Sequence, residues 1–222
     1  MLLMLPASLS HNCAQELIAY PFSESRLAAQ LELVVSRDKS ANSNPLLQDY
    51  DVKFYGLDLR ADNRSDRIHG STSILVEVDR DNFSTLVFDL YHSLDVEQVL
   101  VDDSKVSFTH LEDELLIDLS SPRDSGTLLN ARIFYGGQTG PGMVMETDQE
   151  WGVPVTYTSS EPFYSRDWFP CKQDLKDKAD SVHVFITTDY NLMGVSNGIH
   201  TGTTYFPDGK VRYEWKSAYP ID

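Results

Sequence analysis

The sequence predicts an all-β fold, an antiparallel β-sandwich of two or more sheets that is preceded by one short N-terminal helix. From residue 50 onward, short runs rich in Val, Ile, Phe and Leu alternate apolar and polar residues with a period of two. Most of these runs end near Asp, Asn, Ser or Gly, residues that favour turns. A clear helical period is confined to residues 23–36. These three observations together favour stacked sheets over a helical or α/β fold.

The first fifteen residues resemble a targeting segment. They begin with an apolar run, Leu2 to Leu5, and continue with small and polar residues. This order is similar to the back half of a secretory signal peptide, although no basic region precedes it. We therefore expect residues 1–15 to be a signal-peptide remnant of a secreted, periplasmic or cell-envelope protein. The alternative is an unstructured tail. No stretch of the sequence is long and apolar enough to span a bilayer.

Residues 16–48 are predicted to form the N-terminal helix and a linker. Within 23–36, Leu27 and Leu31 fall on the same helical face, as expected of an amphipathic helix that packs on a core. A polar segment follows and ends at Pro45, which is typical of a linker.

The predicted strands all lie in the third region, residues 49–222. Short strands at a regular spacing, each bounded by turn residues, are typical of a sandwich. The turn Pro207-Asp208-Gly209 predicts a hairpin between the last two strands. The predicted strands are, in order, 50–62, 67–79, 85–91, 96–103, 106–119, 130–137, 181–188, 194–206 and 210–218.

Charge and cysteine content exclude some classes of function. The chain has 222 residues and a formal net charge of -16. Because binding to nucleic acid requires a basic surface that neutralises phosphate, this composition argues against a nucleic-acid partner. The two cysteines, Cys13 and Cys171, are too far apart for a disulfide framework or a closely spaced pair of zinc ligands.

One segment, SSEPFYSRDWFPCKQDLKDKADS at residues 159–181, carries the most specific pattern in the chain. Glu161 precedes Arg166 by five residues, and Phe169-Pro170-Cys171 follows in register. The pair Lys178-Ala179 comes next, and the turn Ser196-Asn197-Gly198 lies further downstream. Several independent pieces therefore occur in a fixed order.

In this order the pieces resemble the N-terminal β-domain of M1-family zinc aminopeptidases, which include aminopeptidase N and leukotriene A4 hydrolase-like enzymes. The amino-acid sequence of the segment is most similar to that of secreted bacterial members. The resemblance spans residues 49–222. It implies a saddle-like β-sandwich and a non-catalytic domain whose own catalytic domain is a separate part of the enzyme. The parent enzyme would remove N-terminal residues from peptides.

The resemblance also implies roles for individual residues. Glu161 matches the position that reaches the active-site cleft and binds the amino terminus of the peptide, where a carboxylate can accept charge-assisted hydrogen bonds from an ammonium. The alternative for Glu161 is an exposed glutamate in a loop. Arg166 is expected to pair with an acidic neighbour and hold the loop. Cys171 is expected to be a buried, small hydrophobe, and Trp168 and Phe169 are expected to lie in the core.

Metal ligation is not predicted for this chain. None of the six histidines lies in an HExxH pattern, which places two imidazoles on one helical face around zinc. Residues 142–146, GMVME, faintly resemble an exopeptidase motif of the family but precede the Glu161 segment, so we interpret them as a loop between strands. In this family the zinc motif lies downstream of the β-domain, and the chain ends at Asp222 before it. We therefore expect no cofactor in this chain, zinc in the missing catalytic domain, and no activity of the fragment alone.

A second class of function stays open. The chain could instead be a free-standing β-sandwich that binds peptides or proteins without catalysis. The reading frame beyond residue 222 would distinguish the two hypotheses, because a downstream HExxH supports the first. The sequence does not predict the preferred side chain of a substrate or the oligomeric state.

Overall fold

The computed structural model describes residues 2–6, 44–148, 152–160, 163–174 and 176–219. Its elements alternate between long strands and tight turns, with two short 3-10 helices at Pro45–Asp49 and Ser165–Asp167. The strands are β1 (Leu2–Pro6), β2 (Tyr50–Arg60), β3 (Arg67–Val78), β4 (Phe83–Asp89), β5 (Leu94–Val101), β6 (Ser104–Lys105), β7 (Phe108–Leu111), β8 (Glu114–Arg123), β9 (Leu128–Gln138), β10 (Met143–Thr147), β11 (Pro154–Thr158), β12 (Ser181–Asp189), β13 (Leu192–Ser196), β14 (Ile199–Tyr205) and β15 (Lys210–Ser217).

The largest layer is an eight-stranded sheet with the order β14-β15-β12-β2-β3-β9-β5-β6. Its sequence pattern explains which face is buried. In β12, Val182, Val184 and Ile186 are buried, whereas His183 and Phe185 between them are only half-buried. This period-two pattern places every second side chain in the core. One face of the sheet is therefore covered, and the other faces outward.

Two smaller sheets complete the fold. A four-stranded sheet has the order β10-β11-β1-β13, and a three-stranded sheet has the order β4-β8-β7. A single core cluster joins the three sheets. It contains Met4 of the first small sheet, Leu86 and Leu115 of the second, and Ile74 and Ile133 of the large one. Burial of apolar surface between the sheets is the main term that stabilises such a layered fold.

The predicted all-β class is confirmed over the described residues, and one detail of the prediction is corrected. The sandwich was expected to be antiparallel, and within the large sheet β2 and β12 run parallel, with Val182 paired to Tyr55. Parallel neighbours need a long connection, and here the whole chain between Arg60 and Ser181 serves as that connection. The large sheet is therefore mixed.

Several predicted elements differ in detail from those observed. The run 106–119 is two strands, β7 and β8, rather than one. The run 194–206 likewise divides into parts of β13 and β14 at the turn before Ile199. Residues 142–146, expected to be a loop, contain most of strand β10. No helix in the described part of the chain is long and apolar enough to cross a membrane.

Two predictions concern the N-terminal region. The predicted helix at residues 23–36 lies outside the residues that the structure describes. The apolar run that resembles a signal peptide contributes Leu2–Pro6, which pair on both sides as strand β1.

Candidate functional site

The candidate site is the segment that follows strand β11. Glu161 itself lies outside the described residues, but the residues on both sides of it are described. The backbone N–H of Ser159 donates to the carbonyl of Gly142 at 2.8 Å. The indole Nε1 of Trp168 donates to Ser160 Oγ at 3.0 Å, and the backbone N–H of Tyr164 donates to the carbonyl of Ser160 at 3.0 Å. Ser160 is therefore held by two contacts.

The short 3-10 helix Ser165–Asp167 places Arg166 inside the protein. Only 4% of the Arg166 side chain is exposed, and its Nη2 lies 3.5 Å from Asp113 Oδ2, in the turn between β7 and β8. The backbone N–H of Arg166 donates to Gln173 Oε1 at 2.9 Å. The predicted ion pair between Arg166 and an acidic residue is thereby confirmed, and it fastens the segment to a second hairpin.

Asp113 joins this pair to a histidine. Both the backbone N–H and the Nδ1 of His92 lie within 3.1 Å of Asp113 Oδ1. Burial alone would raise the pKa of the Asp113 carboxyl. The hydrogen bonds from His92 and the charge of Arg166 outweigh burial and lower this pKa below its ordinary value. Asp113 is therefore an ionised partner at neutral pH.

A glycine-containing turn packs against the same helix. The backbone N–H of Gly140 donates to the Asp167 carbonyl at 2.8 Å, and that of Gly142 donates to Asp167 Oδ2 at 2.8 Å. A Cβ atom at Gly140 would lie 2.6 Å from Asp167 Cγ, and one at Gly142 would lie 2.7 Å from the Tyr164 carbonyl oxygen. Because Asp167 is fully buried, it has little room to yield. The turn needs glycine at both positions for close approach.

The residues after this helix lie in the core, as predicted. Trp168 and Phe169 are buried, and Cys171 has no exposed surface. The ring of Phe169 meets that of Tyr55 edge-on at 5.5 Å between centroids. Cys171 pairs with Asp89 through two backbone hydrogen bonds of 2.8 and 3.0 Å. A buried thiol in such surroundings fits a structural role rather than a reactive one.

Lys172 is a buried charge that the sequence analysis did not single out. Its Nζ donates to the Tyr50 carbonyl at 2.6 Å, lies 4.7 Å from the centre of the Tyr50 ring, and pairs with Asp177. Burial and the neighbouring carboxyl of Asp51 raise the pKa of Asp177 above its ordinary value. The five-residue spacing of Lys172 and Asp177 is visible in the sequence, but no local pattern shows that both turn inward.

No metal site is formed by the residues that the structure describes. They contain no group of three or more His, Cys, Asp or Glu side chains arranged around a common point. His110, which is followed by two glutamates, instead places its Nε2 3.1 Å from the Leu90 carbonyl. The described residues therefore do not offer the three or four converging ligands that a zinc ion requires.

A cleft of about 600 Å³ lies elsewhere, at one end of the large sheet. Its lining includes Arg60, Arg67, Arg212 and Phe206 and none of the described residues between 159 and 174. Charges of both signs line it, and Arg212 already pairs with Asp58 at 3.2 Å. This cleft and the described part of the candidate site are thus separate features of the molecule.

Comparison with known proteins gives a likeness of fold. No protein-family model and no curated protein sequence matches the chain. Among solved structures, the M1 zinc metallopeptidase from Deinococcus radiodurans matches with a TM-score of 0.67 and 22% identity over 78% of this chain. Native leukotriene A4 hydrolase from Saccharomyces cerevisiae matches with a TM-score of 0.63 and 20% identity over 85% of this chain.

These matches cover only part of the known structures. The chain spans 40% of the Deinococcus metallopeptidase and 31% of the yeast hydrolase. A further structure of the Deinococcus enzyme, bound to a Tyr-Ser-Ala substrate, has a TM-score of 0.67 and 22% identity. At this level of identity the likeness establishes the fold, which resembles the N-terminal domain of M1 peptidases.

Proposed function

We propose that this chain is the non-catalytic N-terminal domain of a zinc-dependent aminopeptidase of the M1 type, and that Glu161 binds the amino terminus of the peptide substrate. The proposal rests on a fold and a residue pattern that occur together in this chain. The fold resembles that domain. The order Glu161, Arg166, Phe169-Pro170-Cys171 matches the family pattern within the chain that has this fold.

The surroundings of the segment support this role for Glu161. Ser160 is held by Trp168 on one side of Glu161, and Arg166 is held by Asp113 on the other. A site that recognises a charged group benefits from rigid flanks, because less conformational entropy is lost on binding. An ammonium offers three donors, and a carboxylate in a partly desolvated cleft accepts them through charge-assisted bonds.

Zinc chemistry belongs, in this proposal, to a separate catalytic domain. The described residues do not offer a zinc ligand set. When bound in such a catalytic domain, zinc would activate water for peptide hydrolysis. This chain would contribute the residue that binds the substrate's amino group and a surface that contacts the catalytic domain.

The proposal is tested in two steps. The gene is sequenced downstream of codon 222 and searched for an HExxH motif, and the purified 222-residue chain is assayed with aminoacyl-nitroanilides. We expect the motif to be present downstream and the isolated chain to give no zinc-dependent turnover. Zinc-dependent turnover by the isolated chain would refute the proposal, and so would a native stop codon directly after residue 222.

In the complete enzyme, Glu161→Ala should raise KM and reduce kcat/KM by roughly 10- to 100-fold, as expected for a lost charge-assisted hydrogen bond. Glu161→Gln should retain part of the activity. Glu97 on β5, whose side chain is 55% exposed, provides the matched control, and Glu97→Ala should leave both constants unchanged. Unchanged kinetics of Glu161→Ala would rule out the assigned role.

Export is part of the same proposal, since the family members that the segment resembles most are secreted. Mass spectrometry of the amino terminus of the mature protein tests it. A mature chain that begins after residue 15 supports cleavage of a signal peptide. A chain that retains Leu2 in the exported fraction, or that is found only in the cytoplasm, contradicts cleavage.

A further inference from the structure

In the four-stranded sheet, the N-terminal strand β1 fills the gap between β11 and β13. Strand β1 runs antiparallel to β11 on one side and to β13 on the other, so β11 and β13 run in the same direction. Leu3 pairs with Tyr157 on one side and with Val195 on the other. Among the described residues, no backbone pairing joins β11 directly to β13.

Strand β13 forms one wall of this gap, and side chains of the large sheet contact it independently of β1. The hydroxyl of Tyr213 donates to the Leu192 carbonyl at 3.0 Å, and the indole Nε1 of Trp215 donates to the Gly194 carbonyl at 3.1 Å. A Cβ atom at Gly194 would lie 2.8 Å from Ile186, so β13 packs tightly on the large sheet. These contacts do not involve the N-terminal segment.

The other wall, strand β11, is fixed in the same way. It pairs with β10 over five residues, from Thr158 opposite Met143 to Pro154 opposite Thr147. The side-chain nitrogen of Asn63 donates to the Pro154 carbonyl at 2.7 Å. Both walls are therefore positioned by other parts of the fold. A space one strand wide between two fixed strands has backbone donors and acceptors on both sides.

Met4 of the segment that fills the gap lies in the core, and a polar group opposite Met4 is unsatisfied. Met4 has no exposed surface and belongs to the main core cluster. Its register partner Thr156 is also fully buried, and the Thr156 hydroxyl has no hydrogen-bond partner among the described residues. Because a buried hydroxyl without a partner is unfavourable, the match between β1 and its neighbours is incomplete.

From this geometry we infer that the gap between β11 and β13 is a strand-acceptor site. Leu2–Pro6 of the chain itself fills it, and an extended peptide with an apolar residue at the Met4 position can take its place when that segment is removed. The peptide binds antiparallel to both walls through its backbone, and the core pocket of Met4 selects the side chain. The inference is independent of the proposed aminopeptidase role.

The first experiment tests the register in the full chain. Leu5 and Met193 are paired, so Leu5→Cys with Met193→Cys should form an intramolecular disulfide on mild oxidation, because paired strand residues lie within bonding range. Leu5→Cys with Val195→Cys is the matched control, displaced by two residues along β13 and therefore too distant. Cys13→Ser is included in both variants, and Cys171 is left in place because it is buried.

Mass spectrometry of tryptic peptides measures the cross-link. A disulfide in most molecules of the first variant and in few of the control supports the assignment of Leu2–Pro6 to the gap. Equal cross-linking of the two variants, or absence of the disulfide from the first, would overturn it. Neither readout depends on aminopeptidase activity, so failure here leaves the proposed function untouched.

The second experiment tests exchange of the strand. A variant that lacks residues 2–6 is titrated with a fluorescein-labelled peptide of sequence MLLMLP carrying a C-terminal lysine tail. We expect saturable binding at least tenfold tighter than binding to the full chain, where the gap is filled. The peptide with Met4→Asp should bind at least tenfold more weakly, since a carboxylate would enter the core.

The acceptor site can also be tested if the variant that lacks residues 2–6 does not fold alone. In that case the peptide is added during refolding, and tryptophan fluorescence, to which the buried Trp168 contributes, reports the native core. Recovery of the native spectrum with MLLMLP, but not with the Met4→Asp peptide, supports the acceptor site. The absence of both binding to the folded variant and recovery of the unfolded variant would overturn the acceptor site. Equal binding of the peptide to the full chain would also overturn it.

Discussion

Arg166 is a permanent positive charge with only 4% of its side chain exposed. Moving a guanidinium out of water is costly unless a counter-charge accompanies it. Asp113 supplies that charge at 3.5 Å, and His92 in turn holds Asp113. Three residues from distant parts of the sequence thus form one network, and the network fixes the end of the segment that carries Glu161.

Removal of Arg166 should therefore destabilise the fold. We expect Arg166→Ala to lower the free energy of unfolding by about 3 kcal/mol, because a charge partner of Asp113 and buried contacts are lost together. Urea denaturation followed by circular dichroism measures the change. Arg80→Ala is the control, since Arg80 pairs with Asp49 at 2.9 Å but is 58% exposed, and it should cost less than about 1 kcal/mol. Equal losses in the two variants would contradict a special role for the buried pair.

The lowered pKa of Asp113 predicts a pH dependence of stability. A carboxyl whose pKa is lower in the folded state stabilises the protein fully above its ordinary pKa of about 3.9. This contribution is lost as the pH falls through the lower pKa of the folded state. The stability difference between the native chain and Asp113→Asn should therefore shrink between pH 5 and pH 3. Urea midpoints across this range measure it, and a difference that stays constant would count against the prediction.

A structural role for Arg166 with an acidic partner was predictable from sequence, and the structure confirms it. The identity of the partner was not predictable. Asp113 lies in the turn of another hairpin, and no local spacing connects the two positions. The inward orientation of Lys172 was hidden for the same reason, because its partners Tyr50 and Asp177 are brought together only by the packed sheets. Glu161 lies outside the described residues, so its role stays a prediction.

At the scale of elements, strong alternation made most long strands predictable. β3 and β12 show buried and half-exposed residues in turn, and both were predicted nearly to their ends. β11 was missed because its short sequence buries adjacent residues, and no period of two results. β7 and β8 were predicted as one strand because Glu112 forms their turn with a φ of 53°. Turns are usually signalled by glycine or asparagine, and glutamate gives no such signal.

The turn at residues 140–142 packs against the candidate segment through hydrogen bonds to Asp167. We expect Gly140→Ala to lower the free energy of unfolding by about 2 kcal/mol, because the new methyl group would lie 2.6 Å from the buried carboxyl carbon of Asp167. Gly202→Ala is the matched control. Its added Cβ would meet Glu214 at an ordinary 3.4 Å on an edge strand.

Thermal and urea unfolding of the two glycine variants give the comparison directly. Gly202→Ala should stay within about 0.5 kcal/mol of the native chain, as is usual for surface substitutions. If Gly140→Ala were equally well tolerated, the turn would not pack against the Ser165–Asp167 helix as closely as the structure indicates.

At the scale of the molecule, the three sheets share one core. Residues of β1, β4, β8 and the large sheet belong to the same cluster of buried side chains. A domain with a single core usually unfolds in one cooperative step. The buried Trp168 belongs to that cluster, so the candidate segment is expected to lose its structure together with the sheets rather than before them.

Cooperative unfolding gives the last prediction. Tryptophan fluorescence and far-ultraviolet circular dichroism should report the same urea midpoint, because Trp168 and the strands belong to one cooperative unit. Ile74 has no exposed surface, so Ile74→Ala should lower both midpoints together and cost about 3 kcal/mol. Leu128→Ala, at a side chain that is 55% exposed, should leave both nearly unchanged. A fluorescence transition at lower urea than the dichroism transition would mean that the surroundings of a tryptophan are lost before the strands, which would contradict a single cooperative unit.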